Sequence, residues 1–287
     1  MKSLSRTTNF LAVIGVLLTA ALVRPYLQRR IRHRPWFTYS CLPLDQSAYA
    51  TLAARPRWSR DSVRVADDTV LYGLTRRPQR QGAPWLLFFP GNDAHQLEQG
   101  QNFLERVCGG TDWGCAVYAY RGYDLSQGLP GPESLASDGI WILDNLMQNE
   151  HLNASQLHVA GFSLGTYVAM YVAGQAALSN RRLASLTLMA SISEIEMVHS
   201  PLTARIMLGD IYQTLPFLKA IPFPVLILHG DSDQVVDISQ GRSNAAHLGN
   251  RAKFVVIPGA EHALNENESA IAEVREMVES KSMAISD

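Results

Sequence analysis

Short apolar runs alternate with longer amphipathic stretches from about residue 61 to the end of the chain. The first two runs, 62–65 and 69–74, alternate apolar and polar residues on either side of Asp67-Asp68, which predicts an antiparallel hairpin. The later runs are almost continuously apolar, as in buried parallel strands, and they lie at 85–89, 115–120, 157–161, 183–189, 225–230 and 253–258. Helical patterns lie between them at about 95–107, 132–149, 164–178, 237–248 and 268–281. This order predicts repeated βα units, and therefore an α/β domain with a mainly parallel, doubly wound sheet of about eight strands.

The pattern divides the chain into three parts. Residues 1–34 form a basic and apolar N-terminal segment, residues 35–60 carry three scattered prolines and are expected to be an irregular lead-in, and residues 61–287 form one predicted domain. A length of 287 residues suits one large domain with a well-buried core.

The N-terminal segment differs from the rest of the chain in charge. Residues 1–40 contain seven basic residues and no acid, which leaves 18 basic and 26 acidic residues, a formal charge of −8, for the remainder. Residues 10–23 within this segment are uncharged and mostly apolar. Two interpretations stay open: an uncleaved membrane anchor, favoured by the arginines at 24–34, and a cleaved signal segment of a secreted or periplasmic protein. The side of the membrane is left undecided.

Composition narrows the choice of partners. Hydrophobic residues make up 47% and charged residues 18%, an ordinary globular balance, and the net charge of −1 gives no reason to expect nucleic acid as a partner. Cys108 and Cys115 are close enough in sequence to pair in an oxidising compartment, and two ordinary thiols are the alternative. The sequence contains no spacing typical of metal ligands and implies no cofactor. It leaves the oligomeric state open.

The segment 161–165 reads Gly-Phe-Ser-Leu-Gly, which is the G-x-S-x-G pattern of a nucleophile elbow. In such an elbow a strand turns sharply into a helix and holds the serine at the apex, and the two glycines avoid clashes across the turn. An apolar run ends directly before this segment and a helical pattern begins directly after it. The setting predicts Ser163 as a catalytic nucleophile, whereas a surface serine in a glycine-containing loop is the alternative.

Asp233 and His262 each follow the end of a predicted strand, where an open α/β sheet places its functional groups. Asp233 is the expected acid, and Asp231 is its rival, with a turn or capping role as the other use of that residue. His262 follows the last run, so the chain order Ser, Asp, His is that of an α/β-hydrolase, and His262 is the expected base. A serine hydroxyl needs such a base to become a nucleophile, and the carboxylate orients the imidazole. His158 and His229 are expected to be structural.

Five motifs occur in order along the chain: FFPGN at 88–92, AYRGYDLSQG at 119–128, GFSLG at 161–165, HGDSDQVV at 229–236 and GAEH at 259–262. On these motifs the chain resembles the serine hydrolases of the α/β-hydrolase superfamily over roughly residues 61–280. Within that superfamily it is most similar to the Bem46-like and ABHD13-like abhydrolases, which are typically membrane-anchored. The resemblance implies an α/β-hydrolase fold and favours Asp233 over Asp231 as the acid.

An oxyanion hole is expected from two backbone N–H groups. In this fold one belongs to the loop after the strand at 85–89 and the other to the residue after the nucleophile, which assigns Asn92 and Leu164. A Pro-Gly-Asn turn without a catalytic role is the alternative for the first of these.

Two positions depart from the pattern of the family. Pro90 occupies the place of the usual histidine before the oxyanion glycine, which changes how the hole is supported. Asp124 replaces the glycine that usually follows Tyr123, and it either adds an acidic group near the pocket or is a simple turn residue. The resemblance gives the Tyr-Arg-Gly-Tyr segment at 120–123 the role of shaping the floor of the site.

These residues predict a serine hydrolase that cleaves carboxylic esters or thioesters through an acyl-enzyme intermediate. The segment at about 192–222 is expected to be a short lid over a fairly open site, which suits a small-molecule or lipid acyl ester, and an anchor would favour lipid or acylated substrates near a membrane. Two alternatives stay open: an acyltransferase with the same triad, and a non-catalytic binding protein. Dehalogenases and epoxide hydrolases share the fold but use an aspartate nucleophile at the position of Ser163. The serine at this position therefore argues against a dehalogenase and against an epoxide hydrolase.

Overall fold

In the computed structural model, which describes residues 41–193 and 214–283, eight strands form one sheet. The strands are β1 (Trp58–Arg64), β2 (Val70–Arg76), β3 (Trp85–Phe89), β4 (Gly114–Tyr118), β5 (Leu157–Phe162), β6 (Ser185–Met189), β7 (Val225–Gly230) and β8 (Ala252–Ile257). The α-helices of these ranges are α1 (Gln46–Ala53), α2 (Gln96–Cys108), α3 (Pro132–Asn149), α4 (Leu164–Leu178), α5 (Leu215–Ala220), α6 (Ile238–Leu248) and α7 (Glu268–Met283). The predicted anchor or signal segment lies outside the described residues, as does most of the predicted lid.

The sheet has the strand order β1-β2-β4-β3-β5-β6-β7-β8. The pairs β1·β2 and β2·β4 are antiparallel, and every later pair is parallel. The predicted hairpin is confirmed, and its turn places Asp68 at a positive φ of 61°. The parallel strands are buried along almost their whole length except at β8, which agrees with their continuous apolar runs.

Two consecutive residues of β3 show that helices cover both faces of the sheet. Successive side chains of a strand point to opposite faces. The ring of Phe88 packs against Phe103 of α2, with ring centroids 4.4 Å apart. Phe89 instead lies close to Gly139 of α3. The sheet is therefore doubly wound, as predicted, and the carboxyl ends of its parallel strands meet at one edge.

The prediction of an irregular lead-in is wrong for its described part. Asp45 caps helix α1 by accepting a hydrogen bond from the N–H of Ala48 (2.7 Å), and the buried Tyr49 donates its hydroxyl to Gly73 O (2.8 Å). Pro43 and Pro56 flank this helix and do not interrupt it. Burial of an amphipathic turn against the hairpin therefore outweighs the local signal of the prolines.

The expectation for the cysteines concerns described residues. Cys108 and Cys115 are both buried free thiols, and burial, followed by the contact with Cys108, raises the pKa of the Cys115 thiol. Within residues 41–193 and 214–283 no helix is both long and apolar enough to cross a membrane.

Candidate active site

Ser163 lies at a sharp turn between β5 and α4, at φ 50° and ψ −117°. A non-glycine residue rarely adopts a positive φ, so this conformation is strained. The flanking glycines make the turn possible: a Cβ at Gly161 would overlap Gly165 O, and a Cβ at Gly165 would overlap Phe89 O. The G-x-S-x-G pattern thus reflects contacts with the elbow itself and with the neighbouring strand.

The structure brings Ser163, His262 and Asp233 into one chain of hydrogen bonds. Ser163 Oγ is 3.0 Å from His262 Nε2, and His262 Nδ1 is 2.8 Å from Asp233 Oδ2. The Asp233 side chain is fully buried, while that of His262 is 22% exposed. The rival Asp231 is exposed and accepts a hydrogen bond from Gly259 N (2.7 Å), which ties the loops after β7 and β8 together. Of the two aspartates, Asp233 is therefore the one that orients His262.

The acid loop, residues 231–237, is held by hydrogen bonds within residues 229–236 and by two bonds to the loop after β8, from Gly259 N to Asp231 Oδ1 (2.7 Å) and from Ser232 N to Ala260 O (3.1 Å). Asp233 Oδ1 accepts hydrogen bonds from the N–H groups of Val235 (2.8 Å) and Val236 (2.9 Å). The buried His229 donates from Nε2 to Val236 O (2.9 Å), and the same nitrogen is 3.6 Å from Asp233 Oδ2. Burial lowers the pKa of His229, which favours its neutral form. The sequence interpretation of His229 as merely structural missed its contact with this loop.

The oxyanion loop, residues 90–92, runs beside the elbow. Gly91 packs closely against Phe162, and Gly165 packs against Phe89 O at the start of the loop. Leu164 is the first residue of α4, so its N–H has no acceptor within the helix. The oxyanion loop and the first turn of α4 are therefore in contact beside Ser163, and the assignment of Asn92 and Leu164 as oxyanion donors stays a prediction.

Two tyrosines from a distant segment and a glutamine five positions after Gly91 brace the oxyanion loop. Tyr120 donates its hydroxyl to Pro90 O (2.9 Å), and the Tyr123 hydroxyl hydrogen-bonds to Asn92 Oδ1. The fully buried Gln96 donates to Gly91 O (2.8 Å) and accepts from Tyr120 N (2.9 Å). The two tyrosines thus support the oxyanion loop, and the role of shaping the floor of the site, which the resemblance gave their segment, stays a prediction. Sequence reasoning missed Gln96, because a glutamine in the first turn of a helix carries no signal of its own.

The arginine of the same segment fixes it to the body of the domain. Arg121 pairs with the buried Asp138 of α3 through two hydrogen bonds, one of them 2.7 Å long, and with Asp67 of the hairpin turn at 2.6 Å. Burial raises the pKa of Asp138, and the Arg121 guanidinium opposes that shift. Paired planar groups of this kind fix geometry as well as charge.

Asp93 adds an acidic group next to the oxyanion loop. Desolvation raises the pKa of its carboxyl, the nearby His262 lowers it, and Glu266 raises it further. The sequence analysis did not single out Asp93, although it follows directly after Asn92.

A family model for the alpha/beta hydrolase fold matches residues 84–215 and 198–269. The chain belongs to the alpha/beta hydrolase fold family. An uncharacterized protein of Mycobacterium tuberculosis is 28% identical over 269 residues, which are 91% of this chain and 90% of that protein. Among solved structures, an alpha-beta hydrolase of Vibrio vulnificus superposes with a TM-score of 0.66 at 16% identity, over 89% of this chain and 92% of that chain. An esterase of Rhodococcus sp. ECU1013 superposes with a TM-score of 0.59 at 17% identity, over 77% of this chain and 98% of that chain.

These likenesses to solved structures describe the alpha/beta hydrolase fold. The narrower resemblance to the Bem46-like and ABHD13-like group stays a prediction.

Proposed function

We propose that this alpha/beta hydrolase is a serine hydrolase that cleaves carboxylic esters or thioesters. The observation that carries the proposal is the chain of hydrogen bonds from Ser163 Oγ through both ring nitrogens of His262 to Asp233 (3.0 and 2.8 Å). The strained backbone of Ser163 adds to it, because strain of this kind concentrates at functional sites.

In the first half of the proposed reaction, Ser163 Oγ attacks the carbonyl carbon of the ester and its proton passes to His262 Nε2. The buried Asp233 carboxylate stabilises the imidazolium and keeps Nδ1 protonated. The carbonyl oxygen becomes an oxyanion, which accepts hydrogen bonds from the N–H groups of Asn92 and Leu164. The tetrahedral intermediate then collapses, and the alcohol or thiol leaves with the proton from Nε2.

In the second half, water attacks the acyl-enzyme while His262 Nε2 takes its proton. The same two N–H groups bind the new oxyanion, and collapse releases the carboxylic acid and returns the proton to Ser163 Oγ. An acyltransferase would use an alcohol or thiol acceptor in place of this water. The acceptor is the only chemical difference between the two activities.

The proposed substrates are small-molecule or lipid acyl esters, used near a membrane to which the N-terminal segment anchors the protein. Residues 10–23 are mostly apolar and the arginines at 24–34 follow them, which is the basis for the anchor. Deleting residues 1–34 should release the protein from membranes in a fractionation experiment. Unchanged membrane association would contradict the anchor, and a secreted mature chain that starts within this segment would favour the cleaved signal.

A fluorophosphonate probe tests the activated serine directly. Purified protein should be labelled at Ser163, located by mass spectrometry, and labelling should vanish in Ser163→Ala and His262→Ala. Ser179→Ala is the matched control, because Ser179 lies exposed at the other end of α4 and its variant should be labelled like the wild type. Absence of labelling in folded wild-type protein would contradict the proposal.

Substrate profiling then separates the reactions. Short p-nitrophenyl esters and acyl thioesters should be hydrolysed by the wild type and not by Ser163→Ala. Transfer of the acyl group to an added alcohol at a higher rate than to water would favour the acyltransferase.

A further inference from the structure

Asp124, close to the candidate site, has both a positive φ and a buried carboxylate. Its φ of 51° lies in the left-handed region, which glycine adopts freely and which Asp and Asn adopt at a small cost. The residue is only 6% exposed, and its Oδ1 has no hydrogen-bond partner among the described residues. Burial raises the pKa of its carboxyl to about 6, so burying the charged form is unfavourable. A turn alone would need neither a carboxylate nor its burial.

The other carboxylate oxygen anchors the start of helix α2. Asp124 Oδ2 accepts a buried hydrogen bond of 2.8 Å from the N–H of Leu97, one of the first N–H groups of this helix. His95, which precedes the helix, makes no side-chain capping hydrogen bond. Asp124 thus supplies from a distant loop the cap that the helix lacks locally, and a carboxylate suits the positive end of the helix dipole.

Gln96, the residue before Leu97, connects the start of α2 to the oxyanion loop. Gln96 donates to Gly91 O and accepts from Tyr120 N, so its position fixes the carbonyl that precedes Asn92. The peptide that contains this carbonyl also contains the N–H of Asn92. Any shift of the first turn of α2 therefore moves the proposed oxyanion donor. A misplacement of about 1 Å in such a site costs on the order of a hundredfold in rate.

We propose that Asp124 is a positioning residue that fixes the first turn of α2 and, through Gln96, the oxyanion loop. The catalytic part of this proposal rests on the proposed function, since an oxyanion donor matters only if Ser163 forms a tetrahedral intermediate. The structural part does not: Asp124 holds residues 90–97 whether or not the protein is a hydrolase.

Four substitutions separate positioning from a simple turn role. Asp124→Gly relieves the positive φ and removes the acceptor, while Asp124→Asn keeps an acceptor and tolerates the same φ. Asp124→Ser, whose hydroxyl is one bond shorter, is a second acceptor-deficient variant should Asp124→Gly not fold. Asp68→Gly is the matched control, because Asp68 has a similar φ of 61° at the exposed turn between β1 and β2.

The measurements are kcat and KM on a p-nitrophenyl ester, the rate of fluorophosphonate labelling, and hydrogen–deuterium exchange of residues 90–97. We expect Asp124→Gly to lower kcat and the labelling rate by about tenfold or more, with KM within about twofold, because an oxyanion donor acts in the transition state. Exchange of residues 90–97 should be faster in this variant. The kcat of Asp124→Asn should stay within about threefold of the wild-type value. Asp68→Gly should match the wild type in kcat and in exchange.

Folded Asp124→Gly or Asp124→Ser protein with wild-type kcat and wild-type exchange would overturn the proposal and leave Asp124 a turn residue. A parallel loss in Asp68→Gly would also overturn it, since the effect would then follow from any change at a positive φ. If wild-type protein is not labelled at Ser163, the proposed function fails, and faster exchange of residues 90–97 in Asp124→Gly still supports the structural role.

Discussion

The acid loop and the oxyanion loop lie at the same edge of the sheet but are held in different ways. Asp233 in the acid loop is bound by the N–H groups of Val235 and Val236, and His229 adds a bond from the adjoining strand. These partners lie within eight positions of one another in the sequence, and two further bonds, from Gly259 to Asp231 and from Ser232 to Ala260, join the loop to the one after β8. The oxyanion loop is instead braced by side chains at positions 96, 120 and 123, and through Asp124.

This difference predicts how the two loops respond to substitution. A locally bonded loop keeps its geometry as long as its own acceptor is present, so changes in it should act on chemistry. A loop braced from elsewhere should lose geometry whenever one distant partner is removed, while the elbow and the acid loop stay intact. The following predictions test that distinction, from the largest expected effect to the smallest.

Asp233→Asn should lower kcat by about 10⁴ with little change in the unfolding temperature. An asparagine still offers one oxygen to the N–H groups of Val235 and Val236, but its amide forces His262 into the wrong tautomer. Steady-state kinetics and thermal unfolding measure the two effects. Asp231→Asn is the control and should keep kcat within about threefold; an equal loss there would make Asp231 the acid.

Asp124→Asn should remove a pH dependence of stability that the wild type shows. The pKa of Asp124 is about 6 in the folded protein and 3.8 in the unfolded chain. The stability that the protonated carboxyl contributes is therefore fully present below pH 3.8 and is lost as the pH rises through 6. The charged groups nearby are His95, which lowers this pKa, and Glu98, which raises it. In urea unfolding, the free energy of unfolding of Asp124→Asn relative to the wild type should rise by up to about 3 kcal/mol between pH 4 and pH 7. A difference that does not vary with pH would contradict the buried charge.

Gln96→Leu should lower kcat by about tenfold to a hundredfold, because it releases Gly91 O and Tyr120 N together. Gln101→Leu is the matched control: Gln101 is a buried glutamine of the same helix, and it bonds to Leu52 O (2.9 Å) away from the site. Both variants should lose about 1–3 kcal/mol of stability. Equal kcat in the two variants would show that the oxyanion loop does not depend on Gln96.

Tyr123→Phe should lower kcat by about threefold to tenfold, because it removes the hydroxyl that bonds to Asn92 Oδ1. Tyr49→Phe also removes a buried hydroxyl, which donates to Gly73 O (2.8 Å) far from the site. The control should lose about 1 kcal/mol of stability in urea unfolding while kcat stays unchanged. A drop in kcat for Tyr49→Phe would mean that general destabilisation causes both losses.

The fold could be predicted from the sequence to a large extent. The continuous apolar runs marked all six parallel strands, and helices α3 and α4 begin and end where their patterns do. Helix α1 could not be predicted, because its stability comes from burying Tyr49 and Leu52 and not from a strong local pattern. The site was predictable where residues follow strand ends, as Ser163 does, and not where a brace such as Gln96 comes from the first turn of a helix.

The sequence by itself determined the elbow, the order of the three candidate catalytic residues and the local bonds of the acid loop, because each depends on neighbours in the chain. Strand ends at one edge of a parallel sheet then suffice to bring Ser163, Asp233 and His262 together. Only the tertiary structure decided what holds the oxyanion loop. Gln96 and Tyr123 bond to it from the start of α2 and from the segment after β4, and Asp124 acts on it only through Leu97. A single sequence records neither the side-chain distances nor the burial that make those contacts strong.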